Sequence, residues 1–316
     1  MLIRNLSKIA LTAIALTLAG CSGGVLDPKG QVGVEEKWLI IICTLLMLIV
    51  VIPVIVMTLY FAWKYRASRD FEVYTPKWAH SVKIESAVWS IPVLIIIVLG
   101  IITWKSTHAL DPYKPIEGRG EHMTVEVVSL NWKWLFIYPE QGIATVNELV
   151  FPADKPVKFK ITSESTMNSF FIPQLGSQIY SMAGMETKLH LIADEPGTYD
   201  GFSSNYSGAG FTGMQFDAIA TPTKDDFDAW VEKVKQQGGE LDQAQYKALI
   251  EPTEYHPVTY FADVEDNLFN TIIMKYMKDH GEMSYYSKPN NAVEGHHEGA
   301  QKMSHHSGAH DSGAEE

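Results

Sequence analysis

Cysteine is nearly absent from this chain, which has only Cys21 and Cys43 among its 316 residues. Both lie in or next to apolar segments near the N-terminus, so neither is a candidate for a disulfide framework. No cysteine follows Cys43. A metal centre with cysteine ligands is therefore excluded from the rest of the chain, because such a centre needs thiolate sulfur.

Basic residues are also few: 25 Lys and Arg stand against 37 Asp and Glu, for a formal net charge of −12. Binding to nucleic acid depends on clustered Lys and Arg, so no nucleic acid partner is expected. The sequence also lacks the signatures of a Ser/His/Asp triad, a P-loop and a dinucleotide-binding turn. We therefore predict no catalytic residue on this chain.

Histidine is scarce in the region of predicted strands, where a metal site would be expected. Only His190 and His122, which lies at the boundary, belong to the region of predicted strands. Five others lie in a tail rich in Gly, Ser and His, at residues 296, 297, 305, 306 and 310. Such a composition favours disorder over a fixed site, so these histidines would bind metal only adventitiously. We expect no functional metal site on the chain.

Residues 1–20 have the pattern of a secretory signal peptide. Arg4 and Lys8 supply its positive start, and the apolar stretch Ile9–Leu18 is too short to span a bilayer. The sequence Leu-Ala-Gly-Cys that ends at Cys21 resembles the cleavage box of bacterial lipoproteins. That resemblance implies a lipid on Cys21, which would become the mature N-terminus. An ordinary signal peptide followed by a chance cysteine is the alternative.

Two long apolar runs follow, Leu39–Ala62 and Ala87–Thr103, with tryptophans near their ends. Their lengths suit tilted membrane helices, so residues 38–107 are predicted to form a transmembrane hairpin. The link at 64–83 holds five Lys and Arg residues, whereas the segment at 21–37 holds two. The positive-inside rule therefore places the link in the cytoplasm and both ends of the hairpin outside. A buried hairpin of a soluble protein is disfavoured, because neither run has a polar stripe.

A linker at 108–122 leads to an outer domain of short predicted strands at 123–222. Apolar residues such as Val125 and Val127 alternate there with polar ones, and turns rich in Pro and Gly separate the runs. A second alternating run holds the residues Val157, Phe159 and Ile161. Many short strands at this spacing favour a sandwich or a Greek-key barrel.

Helical spacing replaces the strand pattern over residues 223–287. One predicted helix starts at Lys224 and ends before two consecutive glycines, and a second runs from Asp263 to about Lys278. The tail at 288–316 is predicted to be disordered.

Three segments of the outer domain resemble those of a known family. They are the aromatic run Trp132–Tyr138, the stretch Met167–Pro173 and the loop Gly201–Met214. With the membrane hairpin, they resemble subunit II of the haem–copper terminal oxidases, and the resemblance covers nearly the whole mature chain. It implies a membrane α + β protein, in which a two-helix transmembrane hairpin precedes an extracytoplasmic cupredoxin-like Greek-key β-barrel and C-terminal helices.

In the copper-bearing branch of that family, a histidine in the second segment and a Cys-x-Glu-x-Cys-x-x-x-His-x-x-Met pattern in the third hold copper. The matching residues here are Asn168, Ser203, Asn205, Ser207, Phe211 and Met214. Only Met214 keeps the family's residue type, although the spacing is retained. This combination is similar to the quinol oxidase branch of the cytochrome bo type, as are the phrases LDPKGQVG and WKWLFIYPEQGIATVNE. It implies that the chain holds no copper.

Two other positions have open interpretations. Glu85 precedes the second apolar run on its cytoplasmic side, and the resemblance implies that it starts a proton uptake path into the catalytic subunit. A simple interfacial charge is the alternative. Trp132 and Trp134 stand two residues apart, which predicts that they share one face of a strand. We interpret them as core or interface aromatics in preference to redox groups.

The resemblance implies a non-catalytic subunit of a proton-pumping ubiquinol oxidase, which transfers electrons from quinol to oxygen in aerobic respiration. Its partners would be the catalytic haem–copper subunit I, other oxidase subunits and membrane lipid, without cytochrome c. The haems and copper would reside on the catalytic subunit. The expected location is the bacterial cytoplasmic (inner) membrane, with a lipid-anchored N-terminus and the main domain in the periplasm. A membrane-anchored structural lipoprotein with a degenerate cupredoxin domain is the alternative, which co-purification would distinguish.

Overall fold

The computed structural model describes residues 24–66, 78–117 and 119–277 of the chain. The predicted signal peptide, Cys21 and the His-rich tail lie outside the described residues. Two long helices come first, α1 at Gln31–Lys64 and α2 at Val82–Ala109. Both are long and apolar enough to cross a membrane, as predicted for the hairpin.

Both helices extend beyond the predicted spans. α1 begins at Gln31, so part of the segment predicted to precede the hairpin is helical, and α2 continues to Ala109, inside the predicted linker. The 34 residues of α1 extend roughly 51 Å at ~1.5 Å per residue, which exceeds the ~30 Å hydrocarbon core of a bilayer. Part of α1 therefore extends beyond the length needed to cross the hydrocarbon core.

Residues 123–277, termed the β domain here, contain the strands and the remaining helices. The strands are β1 Met123–Ser129, β2 Trp134–Tyr138, β3 Ile143–Val146, β4 Glu148–Pro152, β5 Val157–Ser163, β6 Asn168–Phe171, β7 Ile179–Ser181, β8 Thr187–Leu191, β9 Gly197–Ser203, β10 Gln215–Thr221, β11 Gly239–Leu241 and β12 Thr259–Val264. The helices are α3 Lys224–Gln237, α4 Gln243–Ile250 and α5 Leu268–Met277.

The strands form two sheets. One has the order β11-β12-β3-β2-β1-β5-β8 and the other the order β4-β10-β9-β6-β7. β1 pairs with β5 in parallel, and so does β10 with β4. Parallel neighbours cannot be joined by tight hairpins, so the chain crosses between the two sheets. The fold is the predicted cupredoxin-like Greek-key arrangement of strands.

The alternation read from the sequence matches the observed core. All five apolar residues singled out in the two alternating runs are fully buried: Val125, Val127, Val157, Phe159 and Ile161. They lie on β1 and β5, which are neighbours in the first sheet. Each such side chain stabilises the fold by roughly 1.5–3 kcal/mol when it leaves water. The predicted period of two therefore identified the inward face of these strands correctly.

The region predicted to be wholly helical differs from the prediction. β12 pairs antiparallel with β3 and extends the first sheet, and β11 pairs with β12. The predicted helix at Asp263 begins only at Leu268, because Asp263 and Val264 complete β12. A strand added at a sheet edge depends on a partner far away in sequence, and local periodicity does not report that partner.

The helix predicted at Lys224 is confirmed as α3. Thr223 caps it, because its hydroxyl oxygen accepts a hydrogen bond from the Asp226 amide at 3.1 Å. Trp230 of α3 donates a hydrogen bond to Glu148 Oε1 at 3.0 Å, and Tyr260 of β12 donates another at 2.8 Å. Burial, with Glu148 as a further cause, raises the pKa of Tyr260 to about 12. These bonds join α3 and β12 to the start of β4.

Candidate functional site

The six positions that match the family's copper ligands lie at one end of the second sheet. Asn168 begins β6, Ser203 ends β9, and Met214 directly precedes β10. β6 and β9 are antiparallel neighbours with Phe170 opposite Ser203, and β9 also pairs with β10. The sheet therefore brings residues from distant parts of the sequence to one place, as the resemblance implied.

Asn168, Ser203 and Met214 are buried next to one another. The Ser203 hydroxyl lies 3.1 Å from Asn168 Oδ1, and the Ser203 amide donates to the Met214 carbonyl at 3.2 Å. Asn168 Nδ2 donates to the carbonyl of Thr166 at 2.9 Å. All three side chains of this group are at most 2 % exposed. The polar side-chain atoms of Asn168 and Ser203 therefore take part in hydrogen bonds within the protein.

The other three positions lie on the loop between β9 and β10, in which Phe211 begins the 3₁₀ turn Phe211–Gly213. Asn205 Nδ2 donates to the Met167 carbonyl at 2.9 Å. The Phe211 ring meets the exposed Tyr206 ring edge-on, with centroids 5.5 Å apart. Ser207 Oγ is buried and has no hydrogen-bond partner among the described residues. Side-chain contacts of Asn205 and Phe211 thus hold this loop in place.

Trp132 covers this loop, contrary to its predicted place on a strand with Trp134. It lies in the bend before β2 with a φ of 63°, whereas Trp134 is the first residue of β2. The Trp132 indole donates to the Ser207 carbonyl at 3.0 Å. A Cβ on Gly210 would approach the indole to 2.4 Å, so glycine is needed where the loop passes under the ring. Trp134 is a core aromatic, as interpreted from the sequence.

The lysine between these two tryptophans has a role that the sequence did not reveal. Lys133 is 1 % exposed, and its ammonium group donates to the Glu251 carbonyl at 2.8 Å and to Thr253 Oγ1 at 2.5 Å. Burial lowers the pKa of Lys133. Asn131 Nδ2 adds a bond to the Ile250 carbonyl at 2.9 Å. The aromatic segment is therefore tied to the end of α4.

The donors at the six positions do not fit a cupredoxin copper centre. They comprise amide groups, hydroxyl groups, one phenyl ring and one thioether. Copper in such centres prefers thiolate and imidazole, whereas amide and hydroxyl oxygens are hard and weak ligands for it. The part of the chain that the structure describes contains no cluster of three or more His, Cys, Asp or Glu residues able to hold a metal ion.

Glu85, the other predicted site residue, lies in the first turn of α2. Its Oε1 atom lies 2.8 Å from Nδ1 of His80 and accepts a hydrogen bond from the Ser81 amide at 3.3 Å. The carboxylate therefore folds back over the helix N-terminus, where it is also favoured by the helix dipole. The sequence analysis did not identify His80 as a partner of Glu85. His80 precedes the helix and lies five residues before Glu85, which is not a helical spacing. Both side chains are more than half exposed, at 64 % and 51 %.

Two family profiles match the chain. The profile described as "Cytochrome C oxidase subunit II, periplasmic domain" matches residues 139–221, and the profile described as "COX Aromatic Rich Motif" matches residues 235–280. The first covers the candidate site, and the second covers the region of α4, β12 and α5.

Several curated relatives match over most of their length. "Cytochrome bo(3) ubiquinol oxidase subunit 2" of Pseudomonas putida is 60 % identical over 83 % of this chain and 83 % of its own length. The protein of the same name from Pseudomonas aeruginosa is 58 % identical, over 92 % and 85 %. "Ubiquinol oxidase subunit 2" of Acetobacter aceti is 55 % identical, over 87 % and 90 %.

Among solved structures, the periplasmic domain of subunit II of cytochrome oxidase from Bradyrhizobium japonicum aligns with a TM-score of 0.35 at 21 % identity, covering 38 % of this chain and 98 % of that domain.

Proposed function

This chain belongs to the subunit II family of the haem–copper terminal oxidases as a ubiquinol oxidase subunit II, and we propose that it works without a copper centre of its own. It is a membrane protein of respiratory electron transport and a component of an oxidase complex, in which it assembles with other oxidase subunits. The observation that carries the proposal is the hydrogen-bonded pair of Asn168 and Ser203, where the copper-bearing branch has histidine and cysteine.

The absence of a copper relay follows from where the electrons come from. Cytochrome c is soluble in water and docks outside the membrane, so its electrons need a relay inward. Ubiquinol is dissolved in the bilayer and can reach a membrane-embedded catalytic subunit directly. We infer that the haems and copper reside on that partner, subunit I, and that this chain is non-catalytic. The β domain then acts as a lid and an assembly surface.

A complex purified through a tag on this chain tests the choice of partner. We expect a haem-containing subunit with many membrane spans to co-purify and to consume oxygen when ubiquinol is supplied, but not when reduced cytochrome c is supplied. The chain recovered alone, with no haem and no quinol-driven oxygen uptake, would favour the structural lipoprotein instead.

We also propose that Cys21, outside the described residues, carries the lipid and forms the mature N-terminus in the inner membrane. Mass spectrometry of the purified chain should find residues 1–20 removed and Cys21 acylated. A Cys21→Ala variant is expected to stay in the membrane fraction, because two hydrophobic spans bind far more strongly than one lipid. An unmodified Cys21 thiol, or a chain that still begins at Met1, would contradict the lipoprotein proposal.

Glu85 is the residue that we propose for proton uptake. Its place at the predicted cytoplasmic end of α2 puts a carboxylate where water meets the membrane, and ionisable groups in membrane segments commonly have functional roles. His80 at 2.8 Å supports this role, because an imidazole and a carboxylate in contact can exchange a proton with water. The competing role, a cap on the helix N-terminus, is supported by the Ser81 hydrogen bond.

A further inference from the structure

The phrase LDPKGQVG, which begins at Leu26, lies against the β domain. The Lys29 amide donates to the Gln174 carbonyl at 2.7 Å, and the Lys29 carbonyl accepts from the Asp194 amide at 2.8 Å. Four residues later, the Gly33 amide donates to the Leu175 carbonyl at 3.1 Å. The backbone of this segment is therefore bonded to two separate loops of the domain, one after β6 and one after β8.

Glycines allow this contact to be so close. A Cβ on Gly30 would lie 2.2 Å from the Ile192 carbonyl oxygen and 3.0 Å from that of Leu175. A Cβ on Gly33 would lie 3.1 Å from the Gln174 carbonyl oxygen. Neither glycine has the positive φ that would require glycine for conformational reasons. Glycine is therefore required here because the backbone of the segment passes too close to the backbone of the domain for a Cβ atom to fit, and not because of its own φ angle.

Side chains extend the contact along the start of α1. Lys29 forms an ion pair with Glu195 at 3.0 Å. The Ser177 hydroxyl bonds to Glu36, in the second turn of α1. A Cβ on Gly176 would lie 3.0 Å from Cγ1 of Val32 and 2.7 Å from Cδ2 of Leu191. One side of the start of α1 is thus in contact with the domain, whereas Gln31, Val34 and Glu35 are exposed.

We propose that residues 26–36 form a positioning strap, which fixes the β domain on the outer end of α1, and that Gly30, Gly33 and Gly176 set the distance between them. The strap continues into α1 without a break at Gln31, so the orientation of the domain is coupled to that of the membrane helix. The seat of the strap, residues 172–177, directly follows β6, whose first residue is Asn168. Among the described residues, the segment that follows Ala109 is the other connection between a membrane helix and the domain.

Hydrogen exchange in the assembled oxidase tests this proposal. Gly30→Ala should raise the exchange rates of the Lys29, Gly33 and Asp194 amides by at least about tenfold, because these amides lose their acceptors when the strap is pushed away. Recovery of the complex should fall as well. The matched control is Gly239→Ala, since a Cβ at Gly239 meets nothing within 4 Å. Unchanged exchange of the three amides in Gly30→Ala would overturn the proposal.

A second pair of variants decides the matter if Gly30→Ala leaves too little protein to measure. Gly176→Ala crowds the side chains of Leu191 and Val32 and not a backbone atom, so it should loosen the strap without preventing folding. Adding Val32→Ala should lower the exchange of the Lys29 and Gly33 amides toward the level of Val32→Ala alone, because it relieves the clash with Val32 and leaves the clash with Leu191. Equal exchange in Gly176→Ala and the unchanged protein, or the absence of rescue by Val32→Ala, would contradict a strap whose position depends on this contact.

Discussion

Replacing Trp134 with alanine is expected to destabilise the β domain by about 3–5 kcal/mol, the usual cost of removing a fully buried large aromatic side chain. Trp134 is 0 % exposed and meets the rings of Phe170 and Phe216 edge-on, with centroids 5.4 and 5.8 Å away. Phe170 and Phe216 stack on each other at an interplanar angle of 8°. The cavity would open at the centre of contact between the two sheets. Thermal unfolding of the purified chain measures the loss.

Trp134→Phe is the control for this prediction. It keeps most of the aromatic contact, and it removes an indole nitrogen that is buried without a hydrogen-bond partner among the described residues. We therefore expect it to cost less than about 1.5 kcal/mol. Similar losses of stability in the two variants would contradict the assignment of Trp134 to the core. Trp132→Ala should loosen the loop over Ser207 without a comparable loss, because Trp132 is only partly buried.

Replacing Glu85 with glutamine is expected to lower quinol-driven oxygen uptake at least about tenfold, because the amide cannot take up and release a proton. The haem content of the assembled complex should not change. The glutamine retains an oxygen that can accept the Ser81 hydrogen bond, so the N-terminus of α2 keeps its cap. Oxygen uptake per haem by the purified complex measures the effect.

Two further variants separate proton uptake from helix capping. Glu85→Asp keeps a titratable carboxyl and should retain more activity than Glu85→Gln. His80→Gln removes the neighbouring imidazole and should lower turnover less than Glu85→Gln does. Full activity in Glu85→Gln would reduce the residue to an interfacial charge. A loss of assembled complex in that variant would instead make its role structural.

The sequence predicted those parts of the fold whose cause is local. Period-two alternation in β1 and β5 identified the core face, and helical spacing after Lys224 identified α3. β12 was missed because pairing with β3, more than a hundred residues earlier, decides its conformation. Trp132 was misplaced for a similar reason: its positive φ is held by the contact with the loop at Ser207, which no local pattern encodes.

The sequence predicted which residues form the candidate site, but it did not predict the hydrogen bonds between them. Retained spacing placed Asn168, Ser203 and Met214 together, and the structure brings them together. The bond of Ser203 to Asn168 depends on strand register, which the spacing of the residues does not report. The contact of Glu85 with His80 lies at an irregular helix start, so no periodic pattern pointed to His80. The contacts of Gly30 are with residues more than a hundred positions away, so local sequence patterns did not predict them.

Copper analysis of this chain tests the central claim most directly. The complex is purified through a tag on this subunit, the subunit is separated from its haem-containing partner, and it is then incubated with copper and dialysed. We predict no stoichiometric copper on the separated chain, because Asn168, Ser203, Ser207 and Phe211 provide no thiolate or imidazole. One or two tightly held copper ions per chain that remain after the His-rich tail at 288–316 is removed would contradict the account.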